Sequence, residues 1–354
     1  MKKSLLAVAV AAALPAAAFA QSSVTLYGIV DLGLTRTDNG VASNIKVDSG
    51  MLSSSRFGLR GAEDLGGGLK AIFNIEGGMN NDDGSGKAGG GLDFTRRSVV
   101  GLNGGFGEVR LGRDYTPAFL MAGSWDPLGY GHYGNMLNYT VGSNGAGLGG
   151  TSVRFSNAIF YDSPSFGGFK IGAAYRFGEV AGASDNGRGF SVSGGYAAGP
   201  INVGAYYENS NQTAATVPGT FFAPGTLAVK KFGVGGGYDF GAFGVKASYQ
   251  KTDPDGASNA VKFFNVGGNV VLGAGQLLLS YSQATPEAWT GKVKTFGIAY
   301  DYPLSKRTMT YISYGQVSNS GNAQGNLFSS DTAVVTAGAG LNAKAFGLGV
   351  RHSF

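Results

Sequence analysis

From about residue 23 onward the chain alternates apolar with small or polar side chains at a period of two, which points to β-strands. Ile201, Val203, Ala205 and Tyr207 interleave with Asn202, Gly204, Tyr206 and Glu208. Phe232, Val234, Gly236, Tyr238 and Phe240 oppose Lys231, Gly233, Gly235, Gly237 and Asp239. Phe243 to Tyr249 and Phe169 to Tyr175 repeat the pattern, with aromatics near the strand ends. Short connections such as Asp64 to Gly68, Ala198 to Pro200 and Gly273 to Gly275 separate some strands. Longer polar ones separate the others: Asn80 to Leu92, Glu179 to Arg188, Ser210 to Val229, Asp253 to Asn259 and Ser318 to Asp331. Alternating short and long connections describe an up-and-down barrel with one plain end and one elaborated end. The chain has room for about 16 strands at roughly 21 residues per strand and connection, of which a membrane strand uses ~9–11.

Composition decides which strand face is wet. A soluble β-sandwich turns its apolar faces inward, whereas a membrane barrel turns them to lipid and closes every edge. Glycine accounts for 63 of 354 residues, and much of it lies inside strands, where a packed core would want side chains. Charged residues are only 14% of the chain, short of the ~25% of an ordinary soluble domain. Arg and Lys stand singly on the polar faces, as a hydrated lumen tolerates. The chain ends with Phe346, Leu348, Val350, His352 and Phe354 on one face, so the last strand runs to an aromatic terminus. The predicted fold is therefore all-β, a transmembrane antiparallel β-barrel.

The first twenty residues read as a secretory signal peptide. Lys2 and Lys3 precede the apolar run Leu5 to Leu14, and Ala18-Phe19-Ala20 supplies the small-x-small cleavage signal. Cleavage after Ala20 leaves residues 21–354 as one barrel domain and takes the formal charge from +5 to +3. No compact basic run marks nucleic acid as a partner. The chain is exported yet has no cysteine, so disulfides do not stabilise it.

One connection departs from the rest. Between Tyr115 and Thr151, a long stretch carries Pro117, Trp125, Asp126, Pro127, Tyr130, Tyr133 and Tyr139. Connections of that length are usually functional. An aromatic, glycine-rich loop with few charges can fold back into the lumen and narrow it. Enzyme readings fail. His132 and His352 are the two histidines, no spacing places either beside Ser and Asp, and His132 reads as a solvated or stacking residue. The absence of Cys and the scarcity of His argue against transition-metal sites, and no cofactor is expected. Gly86 to Gly91 lacks the strand–helix context of a phosphate loop, and Asn80 to Asp83 begins a calcium-loop pattern without completing it.

Several segments carry a family likeness. They are Ser23 to Gly28 with Asp31, Ser55 to Gly61 with Glu63 to Gly66, and Phe94 to Arg96 with Val100 to Leu102. Leu111 to Pro117, Arg154 to Phe166 and the terminal Arg351 to Phe354 follow in order. With these the chain resembles the general diffusion porins of Gram-negative outer membranes, the trimeric sixteen-stranded group. Arg97 stands where a neutral polar residue is common, and His352 where Tyr is common.

The resemblance implies a homotrimer in the outer membrane, surrounded by membrane lipid and lipopolysaccharide, that passes small hydrophilic solutes and ions. It implies that residues 116–150 form an inward constriction loop facing a basic wall on Arg56, Arg96 and Arg154. Strand parity independently puts Arg56 and Arg60 on the lumen face, because Phe57 and Leu59 take the other, and this makes Arg60 a fourth expected member of the basic wall. Parity does not decide Arg154, nor whether Arg96 or Arg97 faces the lumen. Asp114 and Asp126 are the expected acids across from the arginines, with Trp125 and Tyr130 on the loop. A basic wall raises local anion concentration, so mild anion preference is expected. Two alternatives share the barrel. One is a sugar- or phosphate-selective channel using Trp125, Tyr130 and Tyr133 as stacking surfaces. The other is a structural or adhesive surface protein.

Overall fold

The computed structural model describes residues 23–87, 91–137, 139, 153–213, 226–255 and 260–354. The signal peptide reading therefore lies outside the described residues, as does the far part of the 116–150 loop. In chain order the strands begin with β1 Ser23–Asp38, β2 Ser43–Ser49, β3 Arg56–Gly66, β4 Leu69–Asn80, β5 Ser85–Gly86, β6 Arg97–Gly104 and β7 Gly107–Tyr115. The helix α1 Pro117–Ser124 follows, then β8 Arg154–Asp162, β9 Phe169–Arg176, β10 Gly189–Ala198, β11 Ile201–Thr213 and β12 Thr226–Asp239. The last are β13 Phe243–Pro254, β14 Val261–Leu272, β15 Gly275–Pro286, β16 Val293–Pro303, β17 Thr308–Asn319, β18 Leu327–Phe328, β19 Ala333–Val334 and β20 Ala343–Ser353.

Every pairing is antiparallel, and β20 returns to β1 (Leu34 opposite Leu348), so the sheet closes into a 16-stranded barrel. One position of that circuit is split. β2 pairs with Leu32–Asp38 and β3 with Ser23–Ile29 of the same β1 edge, while residues 50–55 turn into the lumen between them. Closure leaves no unpaired edge, which is the condition for a sheet to cross lipid. No helix of the described residues is long and apolar enough to cross a membrane; the strands do so.

The outward faces are apolar. On β20, Phe346, Leu348 and Val350 stand exposed while Ala343 and Ala345, of the opposite phase, point inward and are buried. The same phase exposes Val203 and Tyr207 on β11 and Val234 and Tyr238 on β12. A soluble monomer rarely shows so much contiguous apolar surface.

The inside is asymmetric. Against β9–β17 the lumen is filled by the chain after β7, which folds inward. Trp125, Leu128, Tyr133, Met136 and Tyr139 are all buried there. The connection between β17 and β20 also folds in, burying Ala323, Leu327 and Val334. That corrects the reading of Ser318 to Asp331 as a loop on the outside. It also explains why inward positions Val261, Phe263, Val293 and Val317 are apolar: they face these loops and not water. Beside β3–β8 the lumen stays open.

Glycines let the inward loop lie flat on the wall. Gly195, Gly204 and Gly235 are register neighbours across β10, β11 and β12, as are Gly297 and Gly315 across β16 and β17. A Cβ on Gly204 would meet Met121 Sδ at 2.7 Å, and one on Gly315 would meet Tyr133 Cβ at 2.6 Å. The spread of strand glycine is thus, in part, a seat.

Candidate functional site

The inward loop starts with a well-defined turn. Thr116 caps α1, its hydroxyl accepting from Phe119 N–H at 3.1 Å, and Pro117 occupies the first turn, where its missing N–H costs nothing. The helix buries Pro117, Ala118 and Ala122 against the wall and leaves Phe119 and Leu120 toward the lumen. Ala118 N–H is held by Ser191 Oγ at 3.1 Å.

Asp126 organises the turn beyond the helix. Its carboxylate accepts from the backbone N–H groups of Leu128, Tyr130 and Met136, each at 3.0 Å, and it is fully buried. Burial raises its pKa, and those three donors together with Lys246 act against the rise. The expectation of Asp126 as an acid facing the arginines is therefore corrected. A carboxylate that holds three N–H groups is turned into the loop and away from the lumen. Asp126→Ala leaves those donors buried without an acceptor, at roughly 1–3 kcal/mol each. We expect protease nicking of the loop in the folded, detergent-solubilised protein, with Asp126→Asn intermediate. An uncut Asp126→Ala loop would contradict this role.

The other loop aromatics are corrected as well. Trp125 is fully buried, stacked on Tyr206 at 6.0 Å, and Tyr133 is equally buried. Neither offers a face to a sugar. Tyr130 does reach the lumen, at the end of a stack running Tyr115, Phe119, Tyr130 with centroids 5.5 and 4.8 Å apart. His132 is not solvated. It is buried edge-on to Tyr311 at 5.6 Å, with Nε2 2.9 Å from Asp301 Oδ1.

Opposite the loop, three of the expected arginines come together around Tyr115. Arg96 Nη2 and Arg154 Nη2 donate to the Tyr115 hydroxyl at 2.7 and 2.6 Å, and the Arg154 guanidinium lies 4.1 Å from the ring centre. Arg96 Nε donates to Glu76 at 2.8 Å, and Arg56 stands 4.0 Å from the same carboxylate. Tyr27 closes the cluster by donating to Glu76 at 3.0 Å. Together with Ser53, Ser54, Leu120, Tyr130, Phe328 and Asp331 the three arginines enclose an open volume of about 410 Å³. Asp331 accepts from Ser54 Oγ at 2.5 Å and pairs with Lys87 at 3.3 Å. Four cations thus meet two carboxylates, an excess of two positive charges, and the loop side of the opening is apolar.

Arg60 and Asp114 lie elsewhere. Arg60 lines a separate space of about 320 Å³ toward the short-turn end, with Arg97, Arg110 and Glu108. Asp114 is not on the loop. It is buried on β7, gripped by Arg97 through two bonds of 2.8 and 2.7 Å and approached by Arg110 at 3.2 Å. In this second cluster Arg110 also binds Asp162 at 2.6 Å, so cations and carboxylates balance. Arg96 and Arg97 both face the lumen. Arg97 does so by strand parity, and Arg96 because it precedes β6 and is free of that parity.

Sequence reasoning did not identify Tyr115, Glu76 or Asp331 as parts of the opening. Glu76 carried a signal, since it shares the polar phase of β4 with Lys70. Asp331 carried none, because it reaches the opening only through the return of a distant loop. Among the described residues no cluster of His, Cys, Asp or Glu could hold a metal.

Comparison with known proteins gives a consistent result. A sequence model of the Gram-negative porins matches residues 7–322. Outer membrane porin protein 32 of Delftia acidovorans is 40% identical over 260 residues, covering 71% of this chain and 70% of that one. An outer membrane porin protein of Bordetella pertussis is 34% identical over 279 residues, covering 71% and 70%. The solved anion-selective porin from Comamonas acidovorans superposes with a TM-score of 0.81 at 30% identity, covering 94% of this chain and all of that one. A closed lipid-facing barrel with a charged opening needs no catalytic group, and the chain is a channel and not an enzyme. It belongs to the Gram-negative porin family, as a passive diffusion pore of the outer membrane.

Proposed function

We propose that the opening between Arg56, Arg96 and Arg154 and the loop of residues 116–150 is the pore's constriction, and that it favours anions. The observation that carries this reading is the one-sided charge. Three guanidiniums line the wall, while Leu120, Tyr130 and Phe328 line the other side and the loop's Asp126 faces away. An anion at this point gains Coulomb energy from a net excess of two positive charges, Glu76 and Asp331 being outnumbered by Arg56, Arg96, Arg154 and Lys87. It meets no acid from the 116–150 loop, and a cation meets the reverse. The anion selectivity of the related porin from Comamonas acidovorans supports the same sign. The pore sieves by size and charge and carries out no reaction.

In this reading the working unit is a homotrimer whose chains have lost residues 1–20, set in outer-membrane lipid and lipopolysaccharide. Purified mature protein in a planar bilayer tests it. Conductance should rise in groups of three steps, stay linear in KCl, and be indifferent to millimolar phosphate or maltose. Saturable block by either solute would overturn the general pore in favour of a substrate-selective channel. A folded protein without any conductance would favour a structural barrel.

A further inference from the structure

The opening at the arginine wall has two unlike sides. Along the inward loop, residues 117–137 hold two ionisable groups other than tyrosine, Asp126 and His132, and both are fully buried. What that side turns to the opening is Phe119, Leu120, Tyr130 and Leu137, joined from the returning loop by Phe328. Leu120 is 52% exposed although it stands inside the barrel. Pore linings are polar as a rule, because water gains nothing from an apolar surface. This apolar seat calls for a solute that brings an apolar side of its own.

The arginines facing it are not equally committed. Arg96 directs Nε to Glu76 and Nη2 to the Tyr115 hydroxyl, and Arg154 donates to the same hydroxyl. Arg56 stands 4.0 Å from Glu76, its one carboxylate partner among the described residues, and that is too far for a hydrogen bond. Its side chain is 22% exposed, against 11% for Arg96. Arg56 thus keeps its fork of donors for an incoming oxyanion, while Tyr115 and Glu76 hold Arg96 and Arg154 in place.

We propose that this opening selects small carboxylates with an apolar body, of which benzoate is the compact case, over inorganic anions. The carboxylate meets the Arg56 fork, whose parallel N–H groups match its two oxygens. The ring lies against Leu120 and Phe328 and removes both from water. Chloride offers the wall its charge and leaves the apolar side wet, and a neutral ring does the opposite. Neither makes both contacts. The open volume of about 410 Å³ accommodates a six-membered ring with its carboxylate, and a ring seated there obstructs chloride. The proposal rests on the constriction reading above and names the solute class that this site takes. Retention is weak, on the order of 10 mM for a ligand of this size, so the pore remains a diffusion pore.

The test records single channels of the mature protein in KCl at pH 7 with benzoate, acetate or benzamide added. Benzoate should lower the chloride current, with half-block on the order of 10 mM. Acetate has the charge without the ring, and benzamide the ring without the charge; neither should lower the current at that concentration. Leu120→Ser removes the apolar contact and should raise the half-block concentration about fivefold, whereas Leu120→Met should retain the block. Arg56→Lys keeps the charge and loses the fork, and should weaken the block severalfold. Single-channel steps count folded pores only, so a variant that fails to assemble is not mistaken for one that fails to bind. Equal block by acetate or benzamide, no block by benzoate, or wild-type block in Leu120→Ser or Arg56→Lys would each overturn the proposal. The KCl reversal potential of the same preparation reads the constriction independently. A chloride-directed potential without benzoate block removes this inference alone, and a potassium-directed potential removes both.

Discussion

Neutralising the arginine wall should reverse the pore's ion preference. In Arg56→Gln/Arg96→Gln/Arg154→Gln the opening keeps Glu76, Asp331 and Lys87. Its balance then falls from an excess of two positive charges to an excess of one negative. A unit charge about 4 Å from a permeating ion is worth about 1 kcal/mol in water, about a fivefold change in local ion concentration. Three such changes exceed what a mild preference can absorb. The reversal potential under a KCl gradient should therefore cross zero. Glutamine retains hydrogen-bonding capacity toward Glu76 and Tyr115, so loss of charge is separated from loss of the whole cluster. Arg60→Gln is the matched control. It removes one charge from the balanced cluster near the short-turn end and should shift the potential less than Arg96→Gln or Arg154→Gln. The difference between variants should grow as salt is lowered, because the screening length rises from about 3 Å at 1 M to about 30 Å at 0.01 M. An unchanged sign in the triple variant would place selectivity elsewhere in the lumen.

The second large effect is mechanical. Gly235 lies under the Trp125 indole, and a Cβ there would meet ring atoms at 2.5 and 2.7 Å. The ring has no room to retreat, being fully buried and stacked on Tyr206, whose hydroxyl is tied to Gln250 at 2.6 Å. Overpacking of this kind typically costs about 1–3 kcal/mol, and lifting the loop off the wall is the nearest relief. Gly235→Val and Gly315→Leu should therefore displace the loop while the barrel, held by its strand ladder, stays intact. Conductance should become larger and noisier, and vesicles should admit sugars that wild type excludes. Gly194→Ala is the control: its Cβ would meet nothing within 4 Å, so the pore should be unaltered. A normal size cut-off in Gly235→Val would mean that the loop does not set the opening.

The barrel was legible because lipid and lumen impose opposite demands at a period of two, and strands such as β11 and β12 obey both. Parity fixes a face but not a height. Arg56 and Arg60 share a face, yet only Arg56 lines the opening with Arg96 and Arg154, while Arg60 lines the separate space with Arg97 and Arg110. Asp126 misled because an acidic residue on an inward loop has two uses, and the backbone N–H groups around it claim the carboxylate before the lumen does. Trp125 and Tyr133 misled in the same way, since glycines on the facing wall offer an aromatic ring a better place than water. Asp331 and Phe328 were out of reach, because they arrive with a loop that closes over the opening from far along the chain. The apolar inward positions Val261, Phe263, Val293 and Val317 become intelligible only once that loop is in place.

Reversal potential of the unaltered mature protein across a bilayer, with KCl about tenfold more concentrated on one side, tests the arginine wall most directly. The expected result is a potential displaced toward the chloride equilibrium value, and displaced further as both salt concentrations are lowered together. A potential displaced toward the potassium value would leave the barrel standing and contradict the proposed role of Arg56, Arg96 and Arg154.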